Sequence, residues 1–476
     1  ALVCMDKSSY GKVLVEETDQ TILTGSIDTA RMFRSWRPDL RLFAETSGKN
    51  AIIVTPNADI DLAVKDVVYS AFGHAGQKCS AASLVILVGS VGFSKRFQRQ
   101  LCDAVRSLKL GHPHDLAAQM GPMVEPPHGK LLKGLTELGE GEAWAIKPRK
   151  IDDKLWSPGV RAGVMPMSEY HLTEYFGPIL GVMRADTLGE AIAWQNAVDF
   201  GLTAGLHSLD PEEISAWLDQ VQAGNVYVNR AITGAIVRRQ SFGGWKRSCV
   251  GAGTKAGGPN YLIGMGHVED APKDLGRVHI ADETLRGARA IAETMSVVDQ
   301  SRFLSVIEGM DRALAGHFRP SDPSGLEVEV NVLRYRPVPE AVIRLGDGAV
   351  GDLLAVAAGA LAAGTAPRVS SRVEVSKQMR EYLESRGAGV VVESDEEFHR
   401  YAKLHATTVD GLRVRLIQGD ARALAEAVGG SVDVAVYAEP VTGCGEVELL
   451  PFLREQAVSA TNHRFGNPTR LLDGVL

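Results

Sequence analysis

Cys79 stands at the end of a helical pattern, in a turn that contains Gly73 and Gly76, just before the apolar run 84–88. That places a thiol on a loop between a helix and a strand, within reach of a small molecule. The neighbouring Lys78 ammonium favours the thiolate, the form that attacks a carbonyl carbon. Glu45 closes a second apolar run, 41–44, and offers a carboxylate that can take a proton from water. A nucleophile and a base are the minimum for covalent catalysis on a carbonyl. Each also has a plainer reading by itself, Cys79 as a buried inert thiol and Glu45 as a solvated or ion-paired strand end. His74 invites a cysteine–histidine pairing. One helical turn of separation does not put an imidazole on the sulfur, so His74 reads as structural or as part of a substrate channel. Cys4, Cys102, Cys249 and Cys444 read as inert, with Cys102 on the buried face of an amphipathic helix.

The segment Glu45-Thr46-Ser47-Gly48-Lys49-Asn50 and the triplet Lys78-Cys79-Ser80 resemble the signature motifs of the aldehyde dehydrogenase superfamily. With Asn229-Arg230-Ala231-Ile232-Thr233-Gly234-Ala235 they are similar to the glutamate-semialdehyde (pyrroline-5-carboxylate) dehydrogenase branch. The resemblance is strongest to the C-terminal half of the long bacterial proline utilization A (PutA) proteins. The enzyme-like pattern covers 1–262, and the chain from about 275 onward, through 457–468, resembles the extra C-terminal domain of the longer members.

The resemblance implies a thiohemiacetal and then a thioester on Cys79, with Glu45 activating the water that hydrolyses it. NAD is the implied cofactor, since an aldehyde becomes a thioester only by giving up a hydride. Gly25 and Ser26, at a helix start, can offer a backbone N–H and a hydroxyl to its pyrophosphate. In Glu174-Tyr175-Phe176-Gly177-Pro178, Glu174 would hold the nicotinamide ribose and Phe176 would pack near the ring. Lys78, Ser80 and the backbone of Gly234 and Ala235 would grip the substrate α-carboxylate, for which an ammonium, a hydroxyl and N–H groups are suitable donors. Phe242 would wall the aliphatic part. No metal is implied. The expected reaction takes L-glutamate γ-semialdehyde, NAD and water to L-glutamate and NADH.

The resemblance also implies a homodimer or higher homo-oligomer assembled through 225–262, with Gly257–Tyr261 as part of an oligomerisation strand. Full-length relatives would add a flavin-dependent proline dehydrogenase domain. Two departures stand out. Ser241 replaces the usual proline before Phe242. The chain begins inside the cofactor domain, so the family's oxyanion-hole asparagine, adenosine-ribose lysine and amine-binding glutamate would fall before Ala1. One missing oxyanion donor typically costs about 10²–10³ in rate. The alternatives are therefore an inactive fragment or assembly module, a dehydrogenase for another ω-semialdehyde carboxylate, or a thiol hydrolase without NAD.

The elements that must position these residues alternate along the chain. The pattern predicts a strand at 12–15, a helix at 27–36 capped by Ser26, and a strand at 41–44. Ile60, Ala63, Val64, Val67, Val68 and Ala71 keep helical spacing. A strand at 84–88, a helix at 93–108 and strands at 180–183 and 225–228 follow, with 111–128 and 141–166 loop-like. A boundary falls near 263–278. A long helix is expected over 282–318, then a βαβ series from 341 to 437 that argues for a parallel sheet. The expected class is α/β, with aldehyde dehydrogenase-like Rossmann-type sheets. It divides into a partial NAD-binding domain (1–48), a catalytic domain (49–224), an anchor and oligomerisation segment (225–262) and a degenerate C-terminal α/β domain (275–476). The family's cofactor lysine has no counterpart near 368–370.

The whole of 476 residues carries a net charge of −7, which argues against nucleic acid as the main partner. Five scattered cysteines fit a reducing, cytoplasmic setting. Neither a signal peptide nor an apolar run long enough for a membrane span is found.

Overall fold

The computed structural model describes residues 10–270, 279–469 and 471–475. They form two compact units. One comprises Ser47–Ser248, Ser321–Leu333 and Gln456–Leu476; the other comprises Ala1–Thr46, Cys249–Pro320 and Arg334–Glu455. The expected boundary at 263–278 runs into 271–278, outside the described residues, as do Cys4 and the start of the chain.

In the first unit, strands lie side by side in the order Asn225–Val228, Thr203–His207, Asn50–Val54, Ala82–Val88, Ile179–Ala185, Gly159–Ala162 and Ala143–Ile146, and beyond Asn225–Val228 come residues 456–461 of strand Leu453–Thr461 and then 329–333 of strand Glu329–Pro337. The central strands are parallel. Every residue of Asn50–Val54 and nearly every one of Ala82–Val88 is buried, as a parallel sheet covered on both faces requires. Helix Ile60–Phe72, capped by Asp59, and helix Lys95–Ser107, which buries Phe97, Leu101 and Val105 one turn apart, cover one another.

In the second unit, Gln20–Thr24 pairs in parallel with Arg41–Glu45, whose other edge takes Cys249–Val250 antiparallel. A five-stranded parallel sheet follows. Its order is Gly389–Val392, Arg368–Ser371, Ala341–Leu345, Leu412–Ile417 and Val434–Tyr437, the doubly wound arrangement. Gly346 and Gly348, between its first strand and helix Val350–Ala362, and Gly351 in the first turn of that helix have the spacing of a dinucleotide loop. Here the loop is turned on its own chain: the Gly346 and Asp347 N–H groups donate to the Ile417 and Gln418 carbonyls. A Cβ on Gly348 would strike the Gln418 side chain. The C-terminal sheet packs on the Glu45 sheet closely enough that a Cβ on Gly430 would lie 2.6 Å from the Arg34 carbonyl.

Four expectations are corrected. Residues 12–15 lie inside helix Tyr10–Glu17, where Lys12 and Glu16 face each other one turn apart. The long helix of 282–318 is two, Glu283–Ala292 and Val297–Ala315, because Ser296 caps a new start through the Asp299 N–H. The loop-like 141–166 contains an antiparallel strand pair. Gly257–Tyr261 forms no strand: Asn260 is buried and a short 3-10 turn, Tyr261–Met265, follows it.

Arg415 and Glu448 form an ion pair at 2.9 Å with both side chains almost wholly out of solvent. Removing one partner strands the other charge, so Glu448→Ala should cost about 3–5 kcal/mol in urea unfolding. The apolar pair Arg415→Met with Glu448→Leu should cost much less.

Candidate active site

Cys79 follows a turn, Gly73–Gly76, in which His74 and Ala75 adopt left-handed backbone at φ 53° and 55°. The exposed His74 contributes its carbonyl to the turn, accepting the Gln77 N–H. The loop that follows is fixed from below by the motif containing Glu45. Asn50 Nδ2 donates to the Cys79 carbonyl at 2.7 Å and to the Ala81 carbonyl at 2.9 Å, and Asn50 Oδ1 accepts the Thr203 N–H at 3.0 Å. Thr203 Oγ1 donates to the Ser80 carbonyl. Gly48 lies so close that a Cβ there would sit 2.5 Å from the Cys79 carbonyl. Lys78 and Cys79 are half-buried and Ser80 is buried.

The same motif holds Glu174. The Gly48 N–H donates to Glu174 Oε1 at 2.9 Å. Burial raises the Glu174 carboxyl, against the Gly48 N–H and the Ser47 hydroxyl. Phe176 is exposed with a left-handed backbone, φ 56°. Gln77, two positions before Cys79, ties the loops together: its Nε2 donates to the Phe176 carbonyl and its Oε1 accepts the Val124 N–H. Beneath them, Gly76 at φ 67° packs on the Gly177 carbonyl with no room for a side chain.

The loop with Gly234 (φ 83°) and Ala235 is exposed but anchored at both ends. Ser70, on the helix leading to Cys79, accepts the Ile232 N–H, and Gln240 Oε1 accepts the Ile236 N–H. Phe242 is held between Ser241 and Gly243, which bind the two ends of the buried Asn225 amide. Asn225 belongs to the strand that also pairs with Gln456–Thr461 residues of this chain, Ala457 opposite Asn225. That edge of 225–228 is therefore closed from within.

Glu45, Gly25 and Ser26 belong to the other unit. The Gly25 N–H donates to the Glu45 carbonyl at 3.1 Å. Ser26 caps helix Ile27–Trp36 by accepting the Thr29 N–H. Glu45 is half-buried at the end of its strand, opposite Cys249.

Sequence reading assigned no role to Asn50, Gly48, Gln77 or Lys49, although each lies inside or beside a quoted motif. Lys49 is the most unusual. It is 2% exposed, its Nζ lies 4.2 Å from the Tyr170 ring centre, and it has no hydrogen-bond partner among the described residues. Burial brings it from 10.5 down to about 7, opposed by Glu174 and assisted by Arg161. The described cysteines are free thiols, and burial pushes the Cys102 thiol up.

Asn50→Ala should lower stability by about 1–3 kcal/mol for each buried group left unpaired, read by urea unfolding. Lys49→Met should raise the thermal midpoint. A buried lysine with a depressed pKa binds fewer protons folded than unfolded, so its cost is full below about 7 and gone above 10.5. The Lys49→Met gain, about 2–4 °C for each kcal/mol recovered, should accordingly vanish as pH rises through that window.

A profile of the aldehyde dehydrogenase family matches residues 1–268. A solved proline utilization A (PutA) from Corynebacterium freiburgense superposes with a TM-score of 0.81 at 42% identity, over 97% of this chain and 44% of that one. A 1-pyrroline-5-carboxylate dehydrogenase from Geobacillus sp. (strain WCH70) is 35% identical over 226 residues, 47% of this chain and 43% of its own length. One from Bacillus subtilis (strain 168) is 34% identical over 227 residues, with the same shares. The chain thus spans less than half the length of these relatives.

Proposed function

Because the chain belongs to the aldehyde dehydrogenase family, we propose that it oxidises L-glutamate γ-semialdehyde, the open form of pyrroline-5-carboxylate, to L-glutamate with NAD. The observation that carries this reading is the shared hold of one motif on two groups. Gly48 and Asn50 fix the Cys79 loop, and Gly48 also fixes Glu174. The proposed nucleophile loop and the proposed ribose-binding carboxylate are thereby held by one short segment, through the Asn50 side-chain amide and the Gly48 N–H.

Cys79 Sγ attacks the aldehyde carbon, and the carbonyl oxygen takes the charge beside the Cys79 backbone. Lys78 and Ser80 meet the α-carboxylate together with the N–H groups of Gly234 and Ala235, and Phe242 covers the methylene chain. Once the thiohemiacetal carbon has given up its hydride and become an acyl group, Glu45 takes a proton from the water that attacks it, the carbon–sulfur bond breaks, and the carboxylate product leaves Cys79 as a free thiolate. NAD would draw on the Glu174 carboxylate, oriented by Gly48, as an acceptor for ribose hydroxyls, and on the helix start at Gly25 and Ser26 as a donor to phosphate. When bound, NAD supplies the acceptor for the hydride that aldehyde oxidation releases. A proline dehydrogenase would supply the semialdehyde, and a cytoplasmic setting suits the free thiols. No helix among the described residues is long and apolar enough to cross a membrane.

The test is NADH absorbance with pyrroline-5-carboxylate and NAD. Cys79→Ala should abolish it. Glu45→Gln should slow steady turnover by about 10²–10⁴-fold while leaving a first-turnover burst. Turnover that survives Cys79→Ala, or a preference for semialdehydes without the α-amino acid group, would overturn the reading.

A further inference from the structure

Gly234 and Ala235 lie in a stretch that is exposed from 234 to 238. A Cβ on Gly234, at φ 83°, would touch nothing among the described residues outside its immediate neighbours. Hydrogen bonds on either side fix this backbone. Ser70 Oγ accepts the Ile232 N–H at 3.1 Å and Gln240 Oε1 accepts the Ile236 N–H at 2.9 Å. The Gln240 N–H returns to the Ile236 carbonyl at 2.9 Å, so Gln240 holds both polar groups of the residue that follows Ala235.

The far side of the Gln240 amide is buried among residues from the C-terminal region. Gln240 is 2% exposed, and Asn331 and Ser459 are wholly buried. Gln240 Nε2 lies 2.5 Å from Asn331 Oδ1, 3.0 Å from Glu329 Oε1 and 3.1 Å from Ser459 Oγ. Glu329 and Asn331, two apart on one strand, share a face. These acceptors are themselves fixed. Ser459 Oγ donates to Asn331 Oδ1 at 2.8 Å and accepts from Arg230 Nη1 at 2.6 Å, and Arg230 also pairs with Glu329 at 3.0 Å. The Asn331 N–H donates to Asp322 Oδ2 and Asn331 Nδ2 to Ser324 Oγ, which leaves Oδ1 for Gln240. All these residues belong to one compact unit. The Gln240 amide can point only one way. Turned over, it would set its oxygen against the Glu329 and Asn331 oxygens and its NH₂ against the Ile236 N–H.

We propose, resting on the reading of 234–235 as the carboxylate grip, that Gln240 is a specificity-determining positioning residue. It ties the Gly234–Ala235 backbone to Glu329, Asn331 and Ser459, and so sets how well that backbone meets the substrate α-carboxylate. The Cys79 loop is tied separately, through Asn50. An aldehyde without a carboxylate therefore does not sense the linkage.

The test compares the full chain with Gln240→Met, Asn331→Ala and the double variant. The substrates are pyrroline-5-carboxylate and propanal, which has the aldehyde and no carboxylate. Calorimetric titration with the product, L-glutamate, gives a readout free of catalysis. Gln240→Met should speed deuterium exchange across 232–240. It should raise KM for pyrroline-5-carboxylate about tenfold and weaken glutamate about tenfold, the worth of a hydrogen bond to a charged group. Turnover number, and kcat/KM for propanal, should stay within about twofold. Asn331→Ala should act in the same direction and less strongly. The double variant should be no worse than Gln240→Met, since both substitutions break one linkage. Ser459→Ala takes the place of Gln240→Met should that variant not fold.

A KM and a glutamate affinity that ignore these substitutions overturn the proposal, while NADH formation keeps the dehydrogenase reading. Equal losses with both substrates, or single effects that multiply in the double variant, also overturn it, as a merely structural role would give them. Glutamate binding that weakens as expected, with no NADH from any form, upholds the Gln240 linkage while the dehydrogenase reading falls. An unsubstituted chain that binds no glutamate overturns the proposal.

Discussion

The structure depends on how little room lies between Gly48 and the Cys79 carbonyl. A Cβ at Gly48 would sit 2.5 Å from that oxygen, a distance no side chain tolerates. The contact is made productive by the residues on either side. Asn50 meets the same carbonyl with its amide, and the Gly48 N–H turns the other way, to Glu174. Strand Asn50–Val54 is the rigid base for this, buried along its length between two parallel neighbours. Tying the Cys79 loop to a central strand through the Asn50 side-chain amide fastens that loop to a rigid element.

Around that point the same rule recurs: amides and glycines, not charged pairs, join the loops. Gln77 spans from the nucleophile loop to Phe176 and Val124. Asn225 holds both flanks of Phe242, and Gln240 links the anchor loop to Asn331 and Ser459. A side-chain amide both donates and accepts, so one residue can satisfy two loop backbones at once without burying a net charge. Buried charges lie also at Lys49, over the Tyr170 ring, and in the Arg415–Glu448 pair.

Much of the fold around Cys79 could be read from residue types alone. Cys79 and its glycines marked a turn between a helix and a strand, and the strands at 225–228, 341–345 and 389–392 were legible because short apolar runs between turn residues have few other uses. Where the pattern misled, a local competitor won. Ser296 divided one helical stretch into two because its hydroxyl reaches the Asp299 N–H. The 12–15 run became helical through neighbours one turn away. The Gly346–Gly351 spacing is that of a dinucleotide loop, yet the Gly346 and Asp347 N–H groups bond to the end of the strand beside it.

The sequence by itself determined the chemistry available: a thiol among glycines, a carboxylate at a strand end, a lysine and a serine beside the thiol, and the family to which these motifs belong. It did so because reactive groups and the turns that present them are local properties of a few consecutive residues. Only the tertiary structure decided which backbone Asn50 clamps, that Gly257–Tyr261 turns inward instead of forming a strand, and that Asn331 and Ser459 come to lie against Gln240. Those outcomes depend on segments far apart in the chain sharing one buried space, where every polar group must find a partner. Spacing along a sequence carries no record of that pairing.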